Sequence, residues 1–125
     1  MKKIKVKKVK KVKQPSKKTI SKRLWKEVRD KVVVRDEGKC QVCGCTSKPN
    51  AHHIIGKGYA PTRYDERNLI LLCSNCHKFS RLKSAHNNSV WFVNWLKENK
   101  PNQYNFVIEL TQDKTFNFIG EKNEN

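Results

Sequence analysis

Two C-x2-C pairs, Cys40-x2-Cys43 and Cys73-x2-Cys76, stand 29 residues apart in a chain of 125. Each pair turns the backbone tightly and aims two thiolates at one point. Two such knuckles complete a tetrahedral set, the arrangement that structural zinc prefers. Whatever fold the chain adopts must therefore bring residues 40–43 against residues 73–76. A fifth cysteine, Cys45, makes the count odd, and the lysine-rich start lacks the apolar stretch of a secretory signal, so a disulfide framework is disfavoured. A redox dithiol and an iron–sulfur centre are the other uses open to such pairs. Cys45 could stand in for Cys43, but the matched spacing on both sides leaves it a free thiol. Four thiolates leave no open position, so this metal is expected to be structural. Apolar residues make up 36% of the chain, below the ~45–50% of an average globular domain, and the crosslink would compensate for a small core.

The charge is as uneven as the cysteines are regular. The chain carries +17, yet residues 1–23 hold twelve basic side chains and no acid, leaving 16 basic against 11 acidic residues elsewhere. A block of this kind repels itself and neutralises phosphates, which points to nucleic acid. Lys2, Lys3, Lys5, Lys7, Lys8, Lys10, Lys11 and Lys13 are the expected contacts. A solvated solubility tail and a targeting run are the alternatives. Ile4 and Val6 alternate with lysine as an edge strand would, and a basic helix formed on binding also fits. No apolar run approaches the ~18 residues of a membrane span, so no membrane partner is expected.

Gln14-Pro15-Ser16 ends the tail, giving an expected division into residues 1–20 (flexible tail), 21–86 (central module) and 87–125 (C-terminal helical extension with a frayed end). Ser21 is read as the N-cap of a helix to about Arg35, with Leu24, Val28 and Val32 as its apolar stripe and Gly38 in the turn beyond. Residues 51–55, bounded by Gly56 and Gly58, read as a strand, and so does the apolar run 68–73. The segment from Ser74 to about Lys83 is helix-compatible. Val90 to Leu96 form one aromatic helical face, read as core or interface, which Lys100-Pro101 ends before a further helix over 104–110. The fold class is α+β.

All four histidines, at 52, 53, 77 and 86, lie between or after the knuckles. Adjacent residues on a strand point to opposite faces, so either His52 and His53 divide their labour, as a metal ligand and a base could, or the strand is distorted there. Taken together, Cys40-x2-Cys43, His52-His53-Ile54-Ile55, Asn68-Leu69 and Leu72-Cys73-x2-Cys76-His77 resemble an HNH endonuclease, a zinc-stapled member of the ββα-metal nucleases found in bacteria and phages. The resemblance covers about residues 38–84.

The resemblance implies a small ββα-metal module with structural zinc, flanked by an N-terminal helix and C-terminal helices. Cys40, Cys43, Cys73 and Cys76 would hold the zinc, and His52 and His77 the catalytic divalent ion. His53 would be the general base and Asn68 would brace the loop and orient that base. A His-His pair accepts zinc or nickel as well as magnesium or manganese, the latter two being the first expectation. Arg81, four residues past His77, would share its helix face and reach the scissile phosphate or its neighbour. Lys57, Arg63 and Lys78, with Lys83, are candidates for the phosphate-tracking surface. His86, followed by Asn87-Asn88, reads as an exposed loop or cap rather than a catalytic residue, a loop over the site being the alternative. The implied activity is metal-dependent DNA hydrolysis in a bacterial or phage-infected cytoplasm. A non-catalytic zinc-stapled DNA-binding module, or a protein-interaction zinc module, would use the same scaffold.

Overall fold

The computed structural model describes residues 14–112. The tail lysines Lys2, Lys3, Lys5, Lys7, Lys8, Lys10, Lys11 and Lys13 lie outside the described residues, as does the frayed end expected at residues 121–125. Helix α1 (Lys17–Arg35) is followed by strand β1 (Asn50–His53), strand β2 (Leu69–Leu72) and a single π-turn (Asn75–Phe79), and then by helices α2 (Ser89–Asn99) and α3 (Pro101–Gln112). The architecture is α+β, with the two strands antiparallel.

β2 accounts for the whole arrangement. Its four residues, Leu69 to Leu72, are all buried, because the strand is covered on both faces. Alternation sends Leu69 and Leu71 to Val28 and Val32 of α1, while Ile70 and Leu72 join Cys40, Cys73, Cys76, Phe92 and Leu96 on the α2 side. The hairpin is thus the middle layer between two helices, and its register pairs His52 with Ile70 and His53 with Leu69.

α1 starts earlier than its sequence suggests. Ser16, not Ser21, is the N-cap, accepting a 3.2 Å hydrogen bond from the Thr19 amide. Of the expected stripe, Val28 and Val32 are buried but Leu24 is 39% exposed, since only the C-terminal half of α1 lies on β2. The helix ends in a turn where Glu37 and Gly38 adopt positive φ (56° and 65°).

α1 is fixed at that end by a polar latch. Buried Asp36 accepts from Arg35 through both carboxylate oxygens (2.8 and 3.0 Å) and from the Leu71 amide (3.0 Å). The Arg35 guanidinium also donates to the carbonyls of Glu66 (2.6 Å) and Leu69 (2.5 Å). Asp36→Ala would leave the buried Leu71 N–H without this partner and is expected to cost about 2–3 kcal/mol, lowering the melting temperature by roughly 10 °C or more. A thermal melt at the wild-type temperature would show that the latch carries no stability.

The helix expected to run to about Lys83 stops at Phe79. Ser80 is extended (φ −65°, ψ 131°) directly after the π-turn, and residues 80–88 turn back over it. Ala85 and His86 donate their amides to the carbonyls of Cys76 (2.8 Å) and His77 (3.0 Å). Buried Ser84 donates to the Ser80 carbonyl (2.5 Å), and Asn87 Nδ2 donates to Lys78 O (2.6 Å) and Ser80 O (3.0 Å). Asn88 then caps α2 by accepting from the Trp91 amide (3.0 Å). Pro101 opens α3 rather than merely ending α2, because a first-turn position needs no amide donor.

Candidate active site and its metal-binding clusters

Cys40, Cys43, Cys73 and Cys76 converge, with all four sulfurs within 4.8 Å of one another. Gly44, at φ +78°, closes the first knuckle: its amide donates to Cys40 O (2.8 Å), and the Cys40 amide donates to Cys45 O (2.8 Å). The Cys43–Cys73 sulfur separation is 3.5 Å. Tetrahedral Zn–S bonds of about 2.3 Å imply edges near 3.8 Å, so the set fits structural zinc. Burial opposes the Cys73 thiolate, but hydrogen bonds from the Cys76 backbone and the neighbouring thiols bring its pKa down to about 7. Cys45 lies outside the four, half-buried against the α2-side core.

A second convergence lies a few residues away. His52, His77 and His86 bring their ring nitrogens within 4.8 Å of one another, and His77 Nε2 is 3.0 Å from His86 Nε2. His52 enters from β1 on the Ile70 face and meets the edge of Phe92 (centroids 5.3 Å apart). His77 comes from the π-turn, and His86 is laid beside it by the returning 80–88 segment. Burial, followed by the adjacent His77, His86 and His53, holds the His52 pKa down to about 3. Burial, then His86 and Lys78, brings His77 down to about 4. Both rings are therefore neutral near pH 7, which is the form that ligates metal.

His53 points the other way, as strand alternation requires. Its ring stacks on Trp25 of α1 (centroids 5.1 Å, planes 18° apart), and Nε2 lies 3.0 Å from the Arg63 carbonyl. A carbonyl only accepts, so Nε2 carries the proton and Nδ1 holds the free lone pair. Burial lowers the His53 pKa against the opposing effect of that carbonyl, with Lys57 and Arg63 adding to the fall. All four histidines open onto one cleft of about 700 Å³, between α1 and the β1–β2 loop.

Residues 40–79 match the sequence model of the HNH endonuclease family. The match spans 40 of the 125 residues. Comparison with curated proteins and with solved structures returns no match. The HNH match begins at the first zinc-cluster cysteine and ends with the π-turn, so α1, the returning 80–88 segment, α2 and α3 all lie beyond it.

Within the HNH-matched segment, Asn68 is fully buried and braces the loop through three bonds. It accepts from the Ile55 amide (2.7 Å) and donates to the carbonyls of Ile55 (2.9 Å) and Thr62 (3.2 Å). Its amide bonds do not go to the His53 ring; they set the loop at Thr62, next to the Arg63 carbonyl that His53 meets. Lys57, Arg63 and Lys78 line the cleft, with the Arg63 guanidinium also donating to Lys57 O (2.7 Å).

Two expectations about this site are corrected. Arg81 does not share a helix face with His77, because the π-turn stops at Phe79 and Ser80 is extended; Arg81 is exposed and does not line the cleft. His86 is exposed, as expected, but it belongs to the site as the third member of the histidine cluster. The signal was present in Ser80, Ser84, Asn87 and Asn88, four turn- and cap-forming residues in nine, which favour a chain reversal over a continued helix.

Proposed function

We propose that the chain is a metal-dependent DNA endonuclease that hydrolyses phosphodiester bonds in the cleft between α1 and the β1–β2 loop. The observation that carries this reading is the placement of two different histidine environments on one cleft. Three converging imidazoles (His52, His77, His86) suit a cation, and a fourth (His53) is anchored by a carbonyl with its basic nitrogen free. Bound to the three imidazoles, a divalent ion would supply positive charge against the phosphate oxygens as charge builds on the leaving oxygen.

The rest of the chemistry belongs to the chain. His53 Nδ1 takes the proton of the attacking water while the Arg63 carbonyl holds Nε2–H and so fixes the tautomer. Lys57, Arg63 and Lys78 hold phosphate, and the cleft has no acidic lining residue among the described residues to repel it. Asn68 keeps the loop that carries Lys57 and Arg63 in place.

The donor set also bears on the ion. Imidazole nitrogens suit manganese, nickel or zinc, whereas magnesium prefers oxygen ligands and keeps its waters. The favoured ion is therefore a first-row transition metal rather than Mg2+. Plasmid nicking or cleavage by zinc-replete protein, with Mn2+, Ni2+, Zn2+ and Mg2+ supplied in turn, tests both points. Cleavage is expected with a transition ion and weakest with Mg2+. Protein that binds DNA but leaves it intact with every ion would instead be a zinc-stapled binding module. His86→Ala, measured by calorimetric titration with Mn2+, is expected to weaken binding by about 10- to 100-fold. An unchanged Mn2+ affinity would remove His86 from the ligand set.

A further inference from the structure

The N-terminal half of α1 extends past the hairpin, and its use is not explained by packing. Val28 and Val32 bury the C-terminal half against Leu69 and Leu71, but the same helical stripe continues upstream as Lys18, Ser21, Lys22 and Trp25. Those four residues line the cleft that holds the histidines. Trp25 marks the change of role: it packs on the α1-side core below and stacks on the His53 ring above. Lys18 and Lys22, both exposed, line the same cleft as Lys57 and Arg63 of the β1–β2 loop. The latch at Arg35 and Asp36 anchors the far end of the helix to β2, so its angle over the cleft is set.

We infer that α1 is the second wall of the catalytic cleft, with Lys18 and Lys22 holding substrate phosphates opposite the loop and Trp25 acting as the positioning residue of His53. A polyanion entering the cleft meets basic side chains on both walls. The imidazole has one polar anchor, the Arg63 carbonyl, which fixes one nitrogen but leaves the ring free to rotate about that bond; the indole face removes the rotation. The sequence places this helix outside the matched HNH segment, so the wall is a contribution of the flanking chain.

The inference rests on the nuclease reading, and two measurements separate them. Binding is measured in the full chain carrying His53→Ala, loaded with zinc, using a fluorescein-labelled random-sequence DNA duplex across a salt series. Adding Lys18→Gln and Lys22→Gln should weaken binding at every salt concentration and flatten the log–log salt slope by about 2, one unit for each phosphate released. Because this arm needs no cleavage, it stands even for a chain that never cuts. A slope and affinity equal to those of the parent would overturn the phosphate role.

For Trp25, the His53 ring protons should show an upfield ring-current shift in the NMR spectrum that Trp25→Leu abolishes and Trp25→Phe largely keeps. In cleavage, Trp25→Leu should lower kcat by about 10- to 100-fold with KM little changed, and Trp25→Phe should recover most of it. Equal kcat in wild type and Trp25→Leu, or equal losses in the Leu and Phe variants, would overturn the positioning role. Zinc content and thermal melts of each variant verify that the fold is intact.

Discussion

Stripping zinc from the Cys40–Cys43–Cys73–Cys76 cluster will unfold the described chain, not just the stretch between the knuckles. Structural zinc supplies on the order of 10 kcal/mol or more to small modules, which is comparable to the whole stability of a domain this size. Three of the eight buried residues on the α2 side of the hairpin are cysteines of the cluster, so removing the ion takes out the centre of that core and leaves thiols in apolar surroundings. The loss will spread because β2 belongs to both cores: once Ile70 and Leu72 lose their packing, Leu69 and Leu71 cannot stay on α1. The expected result is a cooperative fall in far-ultraviolet ellipticity on adding a strong chelator, reproduced by Cys76→Ser. Cys45→Ser, outside the cluster, should melt close to wild type. Helical signal that survives complete removal of the metal would refute the structural role of the site.

His53→Ala is expected to lower cleavage by about 10²- to 10⁴-fold, the range that a positioned general base contributes. Its zinc content and DNA affinity should remain, since His53 lies outside both metal-binding clusters. The distinction from its neighbour is sharp, because His52→Ala should abolish ion binding as well as cleavage. Paired titrations with Mn2+ and single-turnover cleavage of the two variants would separate the roles. Cleavage by His53→Ala at the wild-type rate would show that another group activates the water.

The two histidines illustrate what kind of information a sequence holds. Their opposite facing was legible from adjacency alone, because a strand turns successive side chains to opposite faces. Register then gave those faces their identity: His52 pairs with Ile70 and faces α2, whereas His53 pairs with Leu69 and faces α1. The zinc cluster was legible for a similar reason, since two matched C-x2-C spacings leave few ways to arrange four thiolates. Asn68 was legible as a brace through the resemblance, but its partners, Ile55 and Thr62, appear only in the folded loop.

Arg81 and His86 show where local pattern misleads. The Arg81 assignment assumed that the helix after Cys76 continues, which would place residue 81 beside His77, and the His86 reading rested on its loop-forming neighbours alone. The chain instead breaks at Ser80 and returns, held by bonds from Ala85, His86, Ser84 and Asn87 to backbone carbonyls of the π-turn segment. Backbone carbonyls are the same at every position, so no residue pattern announces which of them will accept a bond. α1 is a parallel case: the stripe of Val28 and Val32 indicated a core-facing helix, but not that the hairpin would end short of it and leave Lys18, Lys22 and Trp25 over the cleft.

The sequence by itself determined the four cysteines that can hold zinc, the opposite facing of His52 and His53, and the excess of positive charge at the N-terminus, since each depends on spacing or composition along the chain. The tertiary structure alone decided that His86 completes the histidine cluster, that Arg81 lies outside it and that residues of α1 line the cleft. Those facts depend on where the backbone reverses and which surfaces stay uncovered, and such choices are made by hydrogen bonding and burial between segments distant in sequence.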